Sequence, residues 1–197
     1  MLLDALKKYD VILASGSPRR KELLAAMGIE FRVEVYPVEE TVPPGLSPAE
    51  AATYLSRLKS TNFPEEKCTE HTLIITADTI VASGNELLEK SANAEEAAAM
   101  LRKLSGTKHE VITGVSLRIG NRIHDFRACT EVYFKTLTEA ELQYYITRYH
   151  PFDKAGSYGI QEWIGHIGIQ RIEGSYFNVM GLPTHQLYEE LEHLISH

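Results

Sequence analysis

The 197-residue sequence is short of several things, and each shortage removes a class of answer. It has two cysteines, Cys68 and Cys129, too few for a disulfide framework and not spaced as a CxxC pair, so a reducing, cytoplasmic setting is expected. Positive charge is scarce: 20 Lys and Arg stand against 27 Asp and Glu, a formal charge of −7. A chain this acidic does not bind a nucleic-acid polymer through its overall field, though a local basic site can still hold a small anion. Apolar runs are short, as in Leu73-Ile74-Ile75, so no membrane span is expected. Met1-Leu2-Leu3-Asp4 lacks the basic and then apolar pattern of a secretory leader. The eight histidines include no HExxH, and the pair His193 and His197, four apart, lies at the chain end, so no zinc site is expected. There is no Walker loop and no GxGxxG. Repeats, low-complexity tracts and linker-like clusters are also missing. What remains is 44% apolar and 24% charged, the make-up of one globular domain spanning residues 1–197.

Strand and helix signals alternate along the chain. Tyr9 to Ala14 reads as a buried strand, and Ser17-Pro18 opens a helix through Met27 that Gly28 closes. Phe31 to Tyr36 alternates like a second strand. Tyr36 to Gly45, rich in proline and acid, reads as a working loop. Ser47-Pro48-Ala49-Glu50 is a capping box for a helix to about Asn62, and Asn93 caps another ending at Leu104. Between these, Leu73 to Ala77 is a buried strand. Val111 to Ile119 and Arg122 to Phe134 flank Gly120-Asn121, a hairpin signal. Thr138 to Tyr149 reads as a helix, Ile164 to Ile172 as a strand, and Thr184 to Ile195 as a final amphipathic helix. The hairpin makes the sheet mixed, so the fold class is α/β with one long twisted sheet flanked by helices.

Three stretches carry chemistry. In Leu13-Ala14-Ser15-Gly16-Ser17-Pro18-Arg19-Arg20 a strand ends, small residues turn the chain, and a helix begins. Unpaired N–H groups and the positive end of the dipole make such a helix start an anion site. Arg19 and Arg20 oppose that dipole, and an anion between them explains why they are there; two solvated arginines is the bland alternative. In Thr76-Ala77-Asp78-Thr79, Asp78 follows an apolar run at what reads as the end of a central strand, where α/β crevices form. A carboxylate there holds Mg²⁺ or accepts a proton from water, unless it only caps a turn. Glu39 and Glu40 in the proline-rich loop could complete an oxygen-ligand metal site. In Asp153-Lys154-Ala155-Gly156-Ser157-Tyr158-Gly159-Ile160-Gln161, two glycines suggest backbone packed close to a ligand, and the Gln161 amide could read a base edge.

Taken in order, these stretches resemble the Maf family of nucleoside triphosphate pyrophosphatases. The resemblance runs through Ile12 to Leu24, Ala77 to Val81, Met100 to His109, Asp153 to Gln161, Gly174-Ser175-Tyr176 with Asn178, and Gly181-Leu182-Pro183, and so covers essentially the whole chain. It implies a two-lobed α/β fold around a deep cleft, close to that of inosine triphosphate pyrophosphatases. It also implies hydrolysis of a nucleoside triphosphate to monophosphate and pyrophosphate with a divalent cation, Mg²⁺ or Mn²⁺. By the family's pattern Asp78 is the catalytic acid–base residue. Arg19, Thr79 and Gln161 match the positions that mark the branch acting on dTTP and UTP. Ser15, Arg20, Lys59 and Lys90 match phosphate positions, and Glu40 with Asp78 the metal positions. Homodimers are common in the family, and it has been linked to septum formation and cell-division arrest. That link leaves two alternatives, a nucleotide-binding regulator with incidental hydrolysis and a pyrophosphatase for modified nucleotides. One stretch departs. Glu89 and Ser91 stand around Lys90 where the family has Gly and Pro, and a carboxylate beside that lysine predicts weaker substrate binding.

Overall fold

The computed structural model describes residues 1–196. In chain order its elements are α1 (Leu2–Leu6), β1 (Asp10–Leu13), α2 (Pro18–Ala26), β2 (Arg32–Val33), α3 (Pro48–Thr61), β3 (Thr72–Ser83), β4 (Glu86–Leu88), α4 (Ala94–Leu104), β5 (Lys108–Ile119), β6 (Arg122–Phe134), α5 (Glu139–Tyr149), α6 (Trp163–Gly168), β7 (Ile169–Glu173), α7 (Tyr176–Met180) and α8 (Thr184–Ser196). The seven strands form one mixed sheet in the order β2-β1-β3-β5-β6-β7, with β4 paired to part of β3. β1 runs parallel to both its neighbours, and the remaining pairs are antiparallel.

The helix caps read from the sequence are present. Ser17 and Asn93 accept from backbone N–H groups at the starts of α2 and α4. Ser47 with Glu50 forms a full capping box; so does Thr138 with Glu141, where the sequence predicts only a helix beginning at Thr138. Alternation along β3 divides the core. Leu73, Ile75, Ala77 and Val81 join the large cluster beneath α2, α4, α5 and α8, while Ile74 and Ile80 face the α3 side. α3 can lie flat on that side because its contact face is small. Gly114 of β5 approaches it so closely that a Cβ there would come 2.2 Å from the Ala52 carbonyl oxygen.

Three expectations need correcting. β3 does not end at Ala77 but runs to Ser83, because its polar side chains find partners on α3 and on the neighbouring strand β5, and the strand has no reason to stop. Thr76 donates to the Ser56 carbonyl (2.7 Å), Lys59 meets Asp78, and Thr79 pairs with Thr113 (3.0 Å). The segment Ile164 to Ile172 is not one strand, since its first half is α6 and only Ile169–Glu173 pairs with β6. Gly165 explains the break: it packs against the Ile160 carbonyl with no room for a Cβ, and its N–H bonds Glu162 (2.9 Å), which winds the chain into a turn. β2 is two residues long, not six, because its parallel partner β1 ends at Leu13, opposite Val33, and residues 34–36 have no strand to continue along. His197 lies outside the described residues.

Candidate active site

β1 pairs with β3 only as far as Leu13 opposite Ile75, and β4 takes up the same edge only from Val81. Between them, residues 76–80 of β3 have no strand neighbour on that side. Asp78 and Thr79 point to opposite faces of the sheet, as neighbours in a strand must. The missing neighbour lets a single cleft wrap around the open edge and reach both. That cleft has a volume of about 390 Å³. The nine residues that the resemblance assigns to the site (Ser15, Arg19, Arg20, Glu40, Lys59, Asp78, Thr79, Lys90 and Gln161) line it. Asp78 is therefore beside a strand end, but the end is that of β1, not its own.

On the α3 face, Lys59 from the last helical turn donates to Asp78 Oδ1 at 2.6 Å and lies 3.1 Å from Glu40 Oε1. Gly114 is the ladder partner of Asp78, so the close seating of α3 is also what brings Lys59 to the carboxylate. Asp78 Oδ2 has no hydrogen-bond partner among the described residues and is not sealed from solvent, so it is open to the cleft. Glu40 comes in from the proline-rich loop; its neighbour Glu39 does not line the cleft and accepts from Thr41 instead (3.3 Å). Among the described residues no group of three or more His, Cys, Asp and Glu side chains converges. Two carboxylates nevertheless suit Mg²⁺, which is commonly held by one or two of them together with substrate phosphates. Glu40 and Asp78 are the residues that could hold it.

On the other face, Arg20 is buried and has spent three N–H groups inside the protein. It donates to the Gly181 carbonyl (2.8 Å), Ser15 Oγ (3.1 Å) and Thr79 Oγ1 (2.9 Å). Burial pulls its guanidinium down from the usual value, and the nearby Asp78 charge opposes that. Ser15 Oγ accepts from both Arg20 and the Ser17 N–H (3.3 Å), which leaves its own proton free to donate into the cleft. Thr113 gives its hydroxyl proton to the Asn178 carbonyl (3.1 Å), so Thr79 must be the donor in its contact with Thr113. Thr79 thus holds Arg20 in place, with its hydroxyl committed to that chain of bonds.

At the far end, Gln161 Oε1 is buried with no hydrogen-bond partner among the described residues. Its surroundings are braced. The Tyr145 hydroxyl donates to Glu162 and accepts from the Gly159 N–H (3.0 Å). Lys154 lies between Glu162 (3.1 Å) and Asp153 (2.8 Å), and Asp153 also receives Arg19 (3.2 Å). Burial works to raise the Asp153 carboxyl, but the Lys154 hydrogen bond and Arg19 outweigh it and hold the group below its usual range. Five cations and three carboxylates line the cleft, so it is locally positive in a chain of net charge −7.

A family model described as Maf-like protein matches residues 10–194. The chain belongs to this family. Three curated relatives of this Maf-like chain, each named a dTTP/UTP pyrophosphatase, match it nearly end to end. The protein from Cytophaga hutchinsonii is 48% identical over 100% of this chain and 89% of its own. That from Porphyromonas gingivalis is 49% identical over 97% of each, and that from Phocaeicola vulgatus 50% identical over 98% of this chain and 100% of its own. The structure of the Staphylococcus aureus Ham1 protein overlays 64% of this chain and 71% of its own, with a TM-score of 0.45 and 14% identity.

The Maf-like cleft also explains the departure around Lys90. Lys90 bridges to Ala155, and the Gly156 N–H bonds the Leu88 carbonyl (3.1 Å), so this segment is stitched to the far end of the cleft. Ser91 is buried and accepts from the Ser157 hydroxyl at 2.9 Å, which gives the residue in the proline position a partner. Glu89 is exposed and lies outside the main cleft, but it lines an adjoining cavity of about 280 Å³ together with Lys90, Asp78 and Glu40, so this carboxylate stays beside the site. Sequence reasoning gave no role to Tyr145 or Glu162, nor individual roles to Asp153, Lys154, Thr113 and Asn178. Asp153 and Lys154 sit in a stretch already singled out, but nothing local signals that Tyr145 of α5 anchors the same loop.

Proposed function

We propose that this protein is a nucleoside triphosphate pyrophosphatase that hydrolyses dTTP and UTP between the α and β phosphates, releasing the monophosphate and pyrophosphate. One observation carries the reading. Residues as far apart in the chain as Ser15 and Gln161 converge on one locally positive cleft beside an unpaired strand edge. The names of the near full-length relatives agree with it.

The residues divide the work along the cleft. Phosphate oxygens take hydrogen bonds from the Ser15 hydroxyl, the N–H groups at the start of α2, and the charged Lys59 and Lys90, while Arg19 stands with Gln161 at the base end. Arg20 fixes Ser15, Thr79 and Gly181 around them, with its remaining N–H groups available to phosphate. Asp78 Oδ2 accepts the proton of a water aimed at the α phosphorus, and Lys59 on Oδ1 orients that carboxylate. Glu40 and Asp78 would hold a divalent cation, Mg²⁺ or Mn²⁺; when bound, it neutralises charge on the phosphates. No covalent intermediate is needed. The Gln161 amide carries an acceptor and a donor side by side, which complement the N3–H and O4 edge of thymine or uracil. The substrates are nucleotides of the cytoplasm, where we place the protein. No helix among the described residues is long and apolar enough to cross a membrane.

The test is pyrophosphate release across dTTP, UTP, CTP, ATP, GTP and 7-methyl-GTP with Mg²⁺ or Mn²⁺. dTTP and UTP should turn over far faster than the purine nucleotides. Equal rates on purines would remove the pyrimidine assignment, and no pyrophosphate from any of them would remove the reaction.

A further inference from the structure

A second cavity, of about 220 Å³, opens from the phosphate end of the cleft. The two share Ser15, Gly16, Glu40 and Lys59, and the second continues past them to Tyr36 and Phe63. Arg19, Tyr158 and Gln161, at the base end, do not touch it. Its further walls are apolar or aromatic. Tyr36 meets Phe63 edge to face with ring centroids 4.9 Å apart, and Val35 is 51% exposed on the rim. Pyrophosphate, a hydrated anion, gains nothing from such walls. A flat ring does, because aromatic faces are what nucleobases stack on. The size narrows the occupant. Cavities that enclose a drug-sized ligand start at roughly 300 Å³. This one therefore suits a single ring joined to a chain that lies in the neighbouring cleft.

We propose that the second cavity receives a ring carried on the terminal phosphate of the substrate, so that the protein also hydrolyses P1,P3-dinucleoside triphosphates. This rests on the orientation above, with the reacting nucleoside at Gln161 and its phosphates running toward Lys59. Water adds to the α phosphorus of that nucleoside. The bond from this phosphorus to the oxygen bridging the β phosphorus breaks, and the oxygen keeps the electron pair. One proton of the water passes to Asp78 and on to solvent. The products are a nucleoside monophosphate and, in place of pyrophosphate, a nucleoside diphosphate.

The test compares dTTP, its γ-methyl ester and P1,P3-dithymidine triphosphate as substrates. The last two carry the same phosphate charge and differ in the second nucleoside. The expected result is a kcat/KM for dithymidine triphosphate at least about tenfold above that for the methyl ester, within the range one stacked base contributes. Val35→Glu, which sets a charge on the exposed rim, and Tyr36→Leu, which keeps bulk but removes the ring, should each bring that ratio close to one while leaving dTTP turnover unchanged. Equal rates on the two esters overturn the proposal, as does refusal of both while dTTP is hydrolysed, or a ratio that survives both substitutions. Failure to hydrolyse dTTP itself would instead remove the pyrophosphatase reading and this proposal with it.

Discussion

Asp78→Asn separates the chemistry of the cleft from its architecture. The amide is nearly the same size, and the Asp78 backbone keeps its ladder partner Gly114, so β3 has no reason to move. The main structural loss is at Lys59, whose ammonium lies 2.6 Å from Asp78 and 3.1 Å from Glu40. Stripping a buried cation of its only partner costs roughly 3–5 kcal/mol. Lys59 keeps Glu40 and can still donate to the amide oxygen, so the cost should be nearer that of one weakened hydrogen bond, about 1–3 kcal/mol. A domain with the usual stability of roughly 5–15 kcal/mol stays folded after such a loss. The rate should not survive. An amide cannot accept the proton of the attacking water, and removing a general base typically costs ~10²–10⁴-fold. The assay is pyrophosphate release from dTTP beside a thermal or urea melt of the same preparation. A folded Asp78→Asn protein with full activity would refute the role given to this carboxylate.

Three further outcomes follow from the same geometry. Gly114→Val should push α3 off the sheet, since even a Cβ would sit 2.2 Å from the Ala52 oxygen; a loss of about 1–3 kcal/mol in urea unfolding, with slower turnover as Lys59 shifts, is expected, and wild-type stability would contradict it. Gln161→Glu keeps the size of the side chain but loses the donor, so the preference for dTTP over other triphosphates should shrink while hydrolysis persists, as competition between substrates would reveal. His109 is buried against Tyr158 and Phe134, and burial lowers its imidazole to about 4, so it is neutral in the native protein. The unfolded chain then binds the extra proton below its ordinary value of about 6.5. Stability should be complete above that pH and fall by up to about 3 kcal/mol as pH drops toward 4. His109→Gln should flatten that part of the profile, read from melts between pH 7 and 4.

Local signals were readable wherever one stretch of chain decides its own structure. The caps at Ser17, Ser47 and Asn93, and the turn at Gly120-Asn121, depend on neighbours a few residues away, and each appears where the sequence puts it. The polar run Thr76 to Thr79 reads as a strand end because nothing local satisfies it; its partners, Ser56, Lys59 and Thr113, come from 19 to 34 residues away. The α6 turn was hidden for a similar reason, as apolar residues around Gly165 fit strand and helix alike until the Ile160 carbonyl is in place. The motif residues could be named from the sequence, but not how they are held. Arg19 reaches Asp153 across 134 residues, and Tyr145 reaches Glu162 from a different helix.

The central claim is that water attacks the α phosphorus of a pyrimidine triphosphate lying along this cleft. Hydrolysis of dTTP in ¹⁸O-labelled water, with the products resolved by mass spectrometry, tests it most directly. The label should appear in dTMP, one atom per turnover, with pyrophosphate unlabelled. Label in pyrophosphate, or release of orthophosphate with dTDP, would place the attack at another phosphorus and contradict the arrangement of Asp78, Lys59 and Gln161 described here.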